Sequence, residues 1–155
     1  YVVIEHLGPK TTVEAAGTPP PASARDLNAW HGDTFVSGPA WPEFVKAMGL
    51  GDNAGKTAGS VYVVSTYRAI PGHRDPLEKM LSAAPGAGDK VAGTVVLQHV
   101  EGAPWTFLSI TRYSSWQDFG ASEANSVAQT AKGTGVVAGV VTEFIPPTIT
   151  DRLAP

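Results

Sequence analysis

The stretch that decides the fold is residues 61–125, which reads VYVVSTYRAIPGHRDPLEKMLSA at 61–83, TVVLQHVEGAPWTFLSITRY at 94–113 and SSWQDFGASEAN at 114–125. β-Branched and aromatic residues fill 61–70 and end at a Pro-Gly pair, which predicts a strand. Two similar runs, at 94–101 and 105–112, are separated by only three residues, which predicts an antiparallel hairpin.

An amphipathic helix is predicted between the first strand and the hairpin. Asp75 is the expected N-cap, and Pro76 is the expected first helical residue, a position where its missing N–H costs nothing. The apolar residues that follow at helical spacing are Leu77, Met80, Leu81 and Ala84. This spacing predicts that one side of the helix packs on the sheet.

A second helix is predicted after the hairpin. Ser115 and Asp118 have the spacing of a capping box, and the helix is expected to break or bend near Gly120 and to resume as far as Lys132. A last apolar run, VVAGVVTEFI at 136–145, predicts a fourth strand. The predicted order is therefore β-α-β-β-α-β, an α+β fold.

Residues 1–60 are predicted to be an N-terminal extension of a domain at 61–155. The extension is expected to contain a strand at 1–7, a proline-rich arm at 11–22 and a short amphipathic helix that begins near Trp41. A brief strand is also expected at 34–37, and a capped turn from Ser23 to Asn28.

A small, polar linker at 51–60 separates the extension from the domain. The nearby glycines of GLGDNAGKT, at 49–57, lack the spacing of a phosphate-binding loop. Tyr-Val-Val recurs at 1 and 62, and Trp-x-x-Phe at 41 and 116. These short matches leave open whether the extension is a degenerate copy of the domain or an unrelated segment packed against it.

The composition restricts the classes of partner. The formal net charge of −3 argues against binding to nucleic acid, and no apolar run approaches the length of a membrane-spanning helix. With no cysteine, thiol chemistry is excluded, and cysteine usage does not indicate the redox compartment. A soluble protein is expected, either cytoplasmic or exported after cleavage of a signal peptide, since the chain starts at Tyr1.

The strand that leads into YRAIPGHRDPLEKML (67–81), together with a hairpin whose second arm runs FLSITRYSSWQDF (107–119), resembles the dimeric α+β barrel superfamily. Within that superfamily it is similar to antibiotic-biosynthesis-monooxygenase-like and NIPSNAP-like domains. The segment PTITDRL (147–153) is similar to the tail of some members. The resemblance implies a ferredoxin-like sheet with helices on one face, a homodimer that covers the open sheet face, and a ligand cavity between sheet and helices.

The histidines are the first candidates for chemistry. His6, His31, His73 and His99 have none of the spacings typical of a metal site, so no metal is predicted. His99 lies in mid-strand beside Gln98, and one of the two must face inward if the sheet is covered on both sides. His99 is expected to be either a hydrogen-bonded core residue or a proton acceptor in a cavity.

Two arginines end predicted strands. Arg68 follows Tyr67, and Arg112 ends the second arm of the hairpin, so both arginines are expected at one rim, where they would bind an anionic or carbonyl-bearing ligand. The alternative is that they pair with carboxylates such as Glu101 or Glu143. The candidate catalytic residues are His99, Arg68 and Arg112, and the candidate ligand-binding residues are Tyr67, Trp105 and Phe107, of which the last two also fit a core role.

These observations favour two classes of function. The first is a homodimer that binds a small organic molecule and acts as a cofactor-free monooxygenase, in which His99 and the arginines stabilise a substrate carbanion. The alternative is a non-catalytic ligand-binding or structural homodimer of the same fold. Haem bound through one histidine is a third hypothesis, but the sequence contains no axial-ligand motif, and no cofactor is predicted.

Overall fold

The computed structural model describes residues 4–8, 34–51, 57–132, 144–145 and 150–153. The chain divides into two compact units, Tyr1–Asp33 and Thr34–Pro155. In the first unit, residues 4–8 have no helix or strand, so the described part of the predicted first strand is not a strand. The proline-rich arm and the predicted turn after Ser23 lie outside the described residues.

The second unit is an α+β domain. Its described residues form six strands and three helices: β1 (Phe35–Ser37), α1 (Trp41–Met48), β2 (Val61–Ala69), α2 (Arg74–Leu81), β3 (Val91–Glu101), β4 (Phe107–Tyr113), α3 (Trp116–Ala131), β5 (Phe144–Ile145) and β6 (Thr150–Leu153). The predicted α+β class is therefore confirmed. The unit also includes β1 and α1, which the sequence had placed in the extension.

The strands form one antiparallel sheet with the order β1-β3-β4-β2, followed on the far side of β2 by both β5 and β6. The predicted hairpin forms, with Leu97 of β3 opposite Leu108 of β4. Strand β1 pairs with the other edge of β3, where Val36 lies opposite His99. Of the predicted last strand at 136–145, only β5 is described, and the tail segment contributes β6.

Helix α1 covers one face of the sheet. Because side chains alternate along strands, Val64, Val95, Leu97 and Ile110 share a face, and they are buried together with Phe44 and Met48 of α1. Trp41, Phe44, Val45 and Met48 have the spacing of an apolar stripe on a helix, and of these four only Phe44 and Met48 are fully buried. Trp41 stays partly exposed and stacks on Phe44, with ring centroids 5.2 Å apart.

Helices α2 and α3 lie on the opposite face of the sheet. Leu77 of α2 is fully buried against Phe107 of β4. Phe119 of α3 lies edge-on to Tyr113 of the same strand, with ring centroids 5.4 Å apart. Phe107 and Tyr113 are six positions apart in β4 and thus point the same way. The three helices are therefore divided between both faces.

The end of α1 is held by sheet residues. Arg112 Nε donates to the Ala47 carbonyl at 3.0 Å, and the Tyr62 hydroxyl donates to the Met48 carbonyl at 2.8 Å. These are two of the carbonyls that a helix C-terminus leaves without an intrahelical partner. The helix lies so close to β3 that a Cβ added to Gly93 would overlap the Ala47 carbonyl. Glycine at this position is what permits the approach.

Two predicted helix details differ from the structure. Helix α2 starts at Arg74 and not after Asp75, because the Leu77 N–H already bonds to the His73 carbonyl at 3.2 Å and closes a turn there. Helix α3 runs without a break through Gly120, since one glycine weakens a helix without ending it.

The predicted cap of α3 is confirmed. Ser115 Oγ accepts a hydrogen bond from the Asp118 N–H at 3.1 Å, and Ser115 has the extended backbone of an N-cap residue. The same hydroxyl donates to Asp118 Oδ2 at 2.9 Å. The start of α3 is therefore determined by residues only three positions apart.

Candidate functional site

His99 joins the two arms of the hairpin. The ring nitrogen Nε2 of His99 accepts a hydrogen bond from the Ala103 N–H at 2.9 Å. The backbone N–H of His99 donates to the Thr106 carbonyl at 2.9 Å. The Trp105 ring lies 5.2 Å from the imidazole, centroid to centroid. One ring nitrogen is therefore committed to the backbone of the loop, which fits the structural alternative for His99.

Gln98 and His99 point to opposite faces of β3, as alternation requires. Gln98 faces α2, and its Oε1 accepts a hydrogen bond from Arg74 Nη2 at 2.8 Å. Each of the two polar residues therefore lies on its own face of the sheet, and the side chain of each has a hydrogen-bond partner.

The two candidate arginines do not share a rim. In the antiparallel register Arg112 lies opposite Tyr62 at the start of β2, whereas Arg68 lies near the other end of that strand. Six residues separate them along the sheet, about 20 Å at the usual rise per residue. The expectation of one rim was wrong because neighbouring antiparallel strands end at opposite edges.

Among the described residues, Arg112 bonds to backbone carbonyls and not to Glu101, and Glu143 lies outside those residues. Besides its bond to Ala47, its Nη2 lies 3.4 Å from the Ala92 carbonyl. Its charge also acts on Tyr62: burial raises the pKa of the Tyr62 hydroxyl, and the nearby guanidinium opposes part of that rise. Arg68, in contrast, is exposed.

Of the three candidate ligand-binding residues, Tyr67 and Phe107 lie together in the sheet, and Trp105 lies apart from them. Phe107 is only 1% exposed and packs under α2. Tyr67 lies opposite Phe107 in the sheet; burial raises the pKa of its hydroxyl, and a hydrogen bond with Ser65 opposes the rise. Trp105 contacts His99, which points to the other face. Trp105 and Phe107 therefore do not form one aromatic surface.

A groove lies between α2 and the edge of the sheet formed by β3 and the turn after β1. Its volume is about 460 Å³. The lining residues are Ser37, Gly38, Pro39, Glu78, Leu81, Ser82, Ala83, Thr94, Val95, Val96, Gln98 and Phe107. Of the six candidates from the sequence, only Phe107 is among them.

Arg74 connects three of these lining residues and was missed from the sequence. Its Nη1 lies 3.0 Å from Glu78 Oε2, its Nη2 donates to Gln98, and its guanidinium carbon lies 5.4 Å from the centre of the Phe107 ring. The Arg-Glu spacing of four on a helix was a readable signal for the first contact. The other two contacts cross from α2 to the sheet and have no signature in the sequence.

The described residues offer little for other kinds of site. Within them, no three His, Asp or Glu side chains are grouped closely enough to hold a metal ion. His31 lies outside these residues. No helix in the described part of the chain is long and apolar enough to cross a membrane.

No protein-family model, curated protein or solved structure matches this chain, so its function is inferred from the groove and the residues around it.

Proposed function

We propose that this protein binds a small organic molecule in the groove between α2 and β3, and that it does so without catalysing a reaction. The observation that carries the proposal is the groove itself. Its volume of about 460 Å³ falls within the range of ligand pockets, roughly 300–1,000 Å³. Leu81, Val96 and Pro39 supply apolar walls, and Gln98 and Ser82 supply polar groups that would orient a ligand.

The position of the candidate catalytic residues supports binding over catalysis. His99, Arg68 and Arg112 are not among the residues that line the groove, and two of the three are bonded to backbone groups. Stabilising a carbanion requires hydrogen-bond donors aimed at the reacting atoms in a site that excludes water. Because the candidate catalytic residues do not line the groove, a cofactor-free monooxygenase is only the second candidate function. Oxygen consumption in the presence of a bound quinol would support it.

The proposal includes a ferredoxin-like homodimer. Its support is the strand order β6-β2-β4-β3, with α2 and α3 on one face, and the resemblance noted in the sequence. Helix α1 covers part of the face that a partner's sheet would cover, and Thr66 and Leu108 on that face stay half-buried. A dimer formed there would bury less apolar surface than an uncovered sheet offers. Sedimentation velocity that shows only monomer up to 100 μM would exclude it.

The binding site is tested by filling the groove. Ala83 lines the groove and is exposed, so Ala83→Trp would occupy it without disturbing the core. Ala124, which is exposed on α3, supplies the matched control Ala124→Trp. A library of small aromatic and aliphatic compounds, with quinols, haem and fatty acids added, is screened by thermal shift, because ligands that bind only the folded state raise the melting temperature.

We expect hits that lose their effect in Ala83→Trp and keep it in Ala124→Trp. Binding that persists in Ala83→Trp would contradict the groove as the site. Complete absence of hits would contradict the binding function. His99→Ala should leave the hits unaffected, since His99 does not line the groove.

A further inference from the structure

The charge of the groove is set by one residue. Among the described residues that line it, Glu78 is the only ionisable one. Its side chain is 46% exposed, so the carboxylate lies at the surface of the groove where a ligand can reach it. The remaining lining residues are apolar or carry neutral amides and hydroxyls.

The neighbouring arginine does not cancel the negative charge. Arg74 Nη1 lies 3.0 Å from Glu78 Oε2 and 2.9 Å from Asp75 Oδ1, so one guanidinium serves two carboxylates. These three side chains together carry a net charge of −1. The same guanidinium is directed at Gln98 and lies over the Phe107 ring. Arg74 is therefore oriented by protein groups and is not poised to receive an anion.

One oxygen of Glu78 remains for a ligand. Arg74 approaches Oε2, and within the described residues Oε1 has no hydrogen-bond partner. A carboxylate oxygen accepts hydrogen bonds and attracts cations. Leu81 follows Glu78 by three positions on α2, so both lie on the side of the helix that faces the groove, and Val96 lines the sheet side.

From these contacts we propose that the groove selects protonated amines that carry an apolar body, with the ammonium at Glu78 Oε1 and the body against Leu81 and Val96. This inference rests on the proposed binding function and names its ligand class. It differs from the anionic ligand that the two strand-end arginines had suggested. An anion placed in the groove would meet the excess negative charge and no uncommitted cation among the lining residues.

The test uses three probes with the same carbon skeleton: 2-phenylethylamine, 2-phenylethanol and phenylacetate. Their dissociation constants are measured at pH 7 by NMR titration of the backbone amides, which also reports where each probe binds. We expect shifts at groove residues and an order of affinity in which the amine binds best and the carboxylate worst. Raising the ionic strength should reduce the differences, because salt screens partly exposed charges.

Substitutions of Glu78 separate its charge from the shape of the groove. Glu78→Gln should weaken the binding of the amine roughly two- to five-fold, the range typical of exposed ion pairs, and leave the affinity for the alcohol unchanged. Glu78→Lys should reverse the order of affinity, so that the carboxylate binds more tightly than the amine. Glu123→Gln, on the exposed surface of α3, makes the same change in net charge away from the groove and should have no effect.

The outcomes distinguish the two proposals. If all three probes bind equally and lose binding in Ala83→Trp, the groove is a binding site but the preference for amines is overturned. If the amine is preferred equally in the wild type and in Glu78→Gln, Glu78 is not its partner and the inference fails. If no probe shifts any groove residue, the amine inference fails, and a broad ligand screen without hits would remove the binding function as well.

Discussion

Replacing Gly93 by alanine tests how α1 is held against the sheet. A Cβ at this position would overlap the carbonyl oxygen of Ala47 and lie 2.8 Å from its carbonyl carbon. Both atoms belong to the helix backbone and cannot rotate away as a side chain can. Gly93 does not have a positive φ, so alanine fits the local backbone and the effect is steric. We therefore expect α1 to move away from β3.

The magnitude follows from what α1 buries. Phe44 and Met48 are 7% and 2% exposed. Each such side chain contributes roughly 1.5–3 kcal/mol when buried, so losing both would cost about 3–6 kcal/mol, whereas a small shift that keeps them buried would cost about 1–3 kcal/mol. We expect a loss above about 2 kcal/mol in the free energy of unfolding, because displacing α1 also strains the bonds from Arg112 and Tyr62.

The assay is urea unfolding followed by far-UV circular dichroism. A loss of about 2 kcal/mol lowers the midpoint by about 1 M for a typical urea dependence of about 2 kcal/mol/M. Gly120→Ala is the matched control, since a Cβ there meets nothing within 4 Å and Gly120 lies inside α3. It should raise stability by about 0.5–1 kcal/mol. A Gly93→Ala protein as stable as the wild type would show that α1 does not lie against β3 as described.

Three further changes test other contacts. Ser115→Ala removes the cap of α3 and should cost about 0.5–2 kcal/mol in urea unfolding; an unchanged midpoint would mean that the Ser115 bond contributes nothing to stability. His99→Ala leaves the Ala103 N–H without its acceptor, so the free energy of unfolding should fall by about 1–3 kcal/mol while ligand binding stays intact. Loss of ligand binding without loss of stability would show instead that His99 belongs to the binding site. Burial raises the pKa of Tyr67 above 10.0, so the folded state keeps its proton longer than the unfolded state. The contribution of Tyr67 to the free energy of unfolding should therefore be fully present below about pH 10 and be lost as the pH rises further. The fall in stability above about pH 10 should be smaller in Tyr67→Phe, and an equal fall in both proteins would contradict the assignment.

Much of the secondary structure of the domain was predictable, because the residues that determine each element lie within a few positions of one another. The cap of α3 needs only Ser115 and Asp118, and the hairpin needs only a short loop between two strand-like runs. The candidate site was not predictable in the same way. Arg74 meets Gln98 across 24 residues, and Arg112 meets Ala47 across 65. No spacing along the chain indicates contacts of this kind. The sequence therefore predicts a ligand or a carboxylate as the partner of Arg112, whereas its partners among the described residues are backbone carbonyls.

The sequence by itself determined the succession of strands and helices between residues 61 and 132, because hydrophobic period, capping and turn residues act over a few positions. Only the tertiary structure decided that α1 covers the sheet face opposite α2 and α3, since that depends on Gly93 lying under a helix turn more than 40 residues earlier in the chain. It also decided where a ligand can bind. The groove arises from the distance between α2 and the β3 edge, and its charge arises because Arg74 is shared between Glu78 and Asp75.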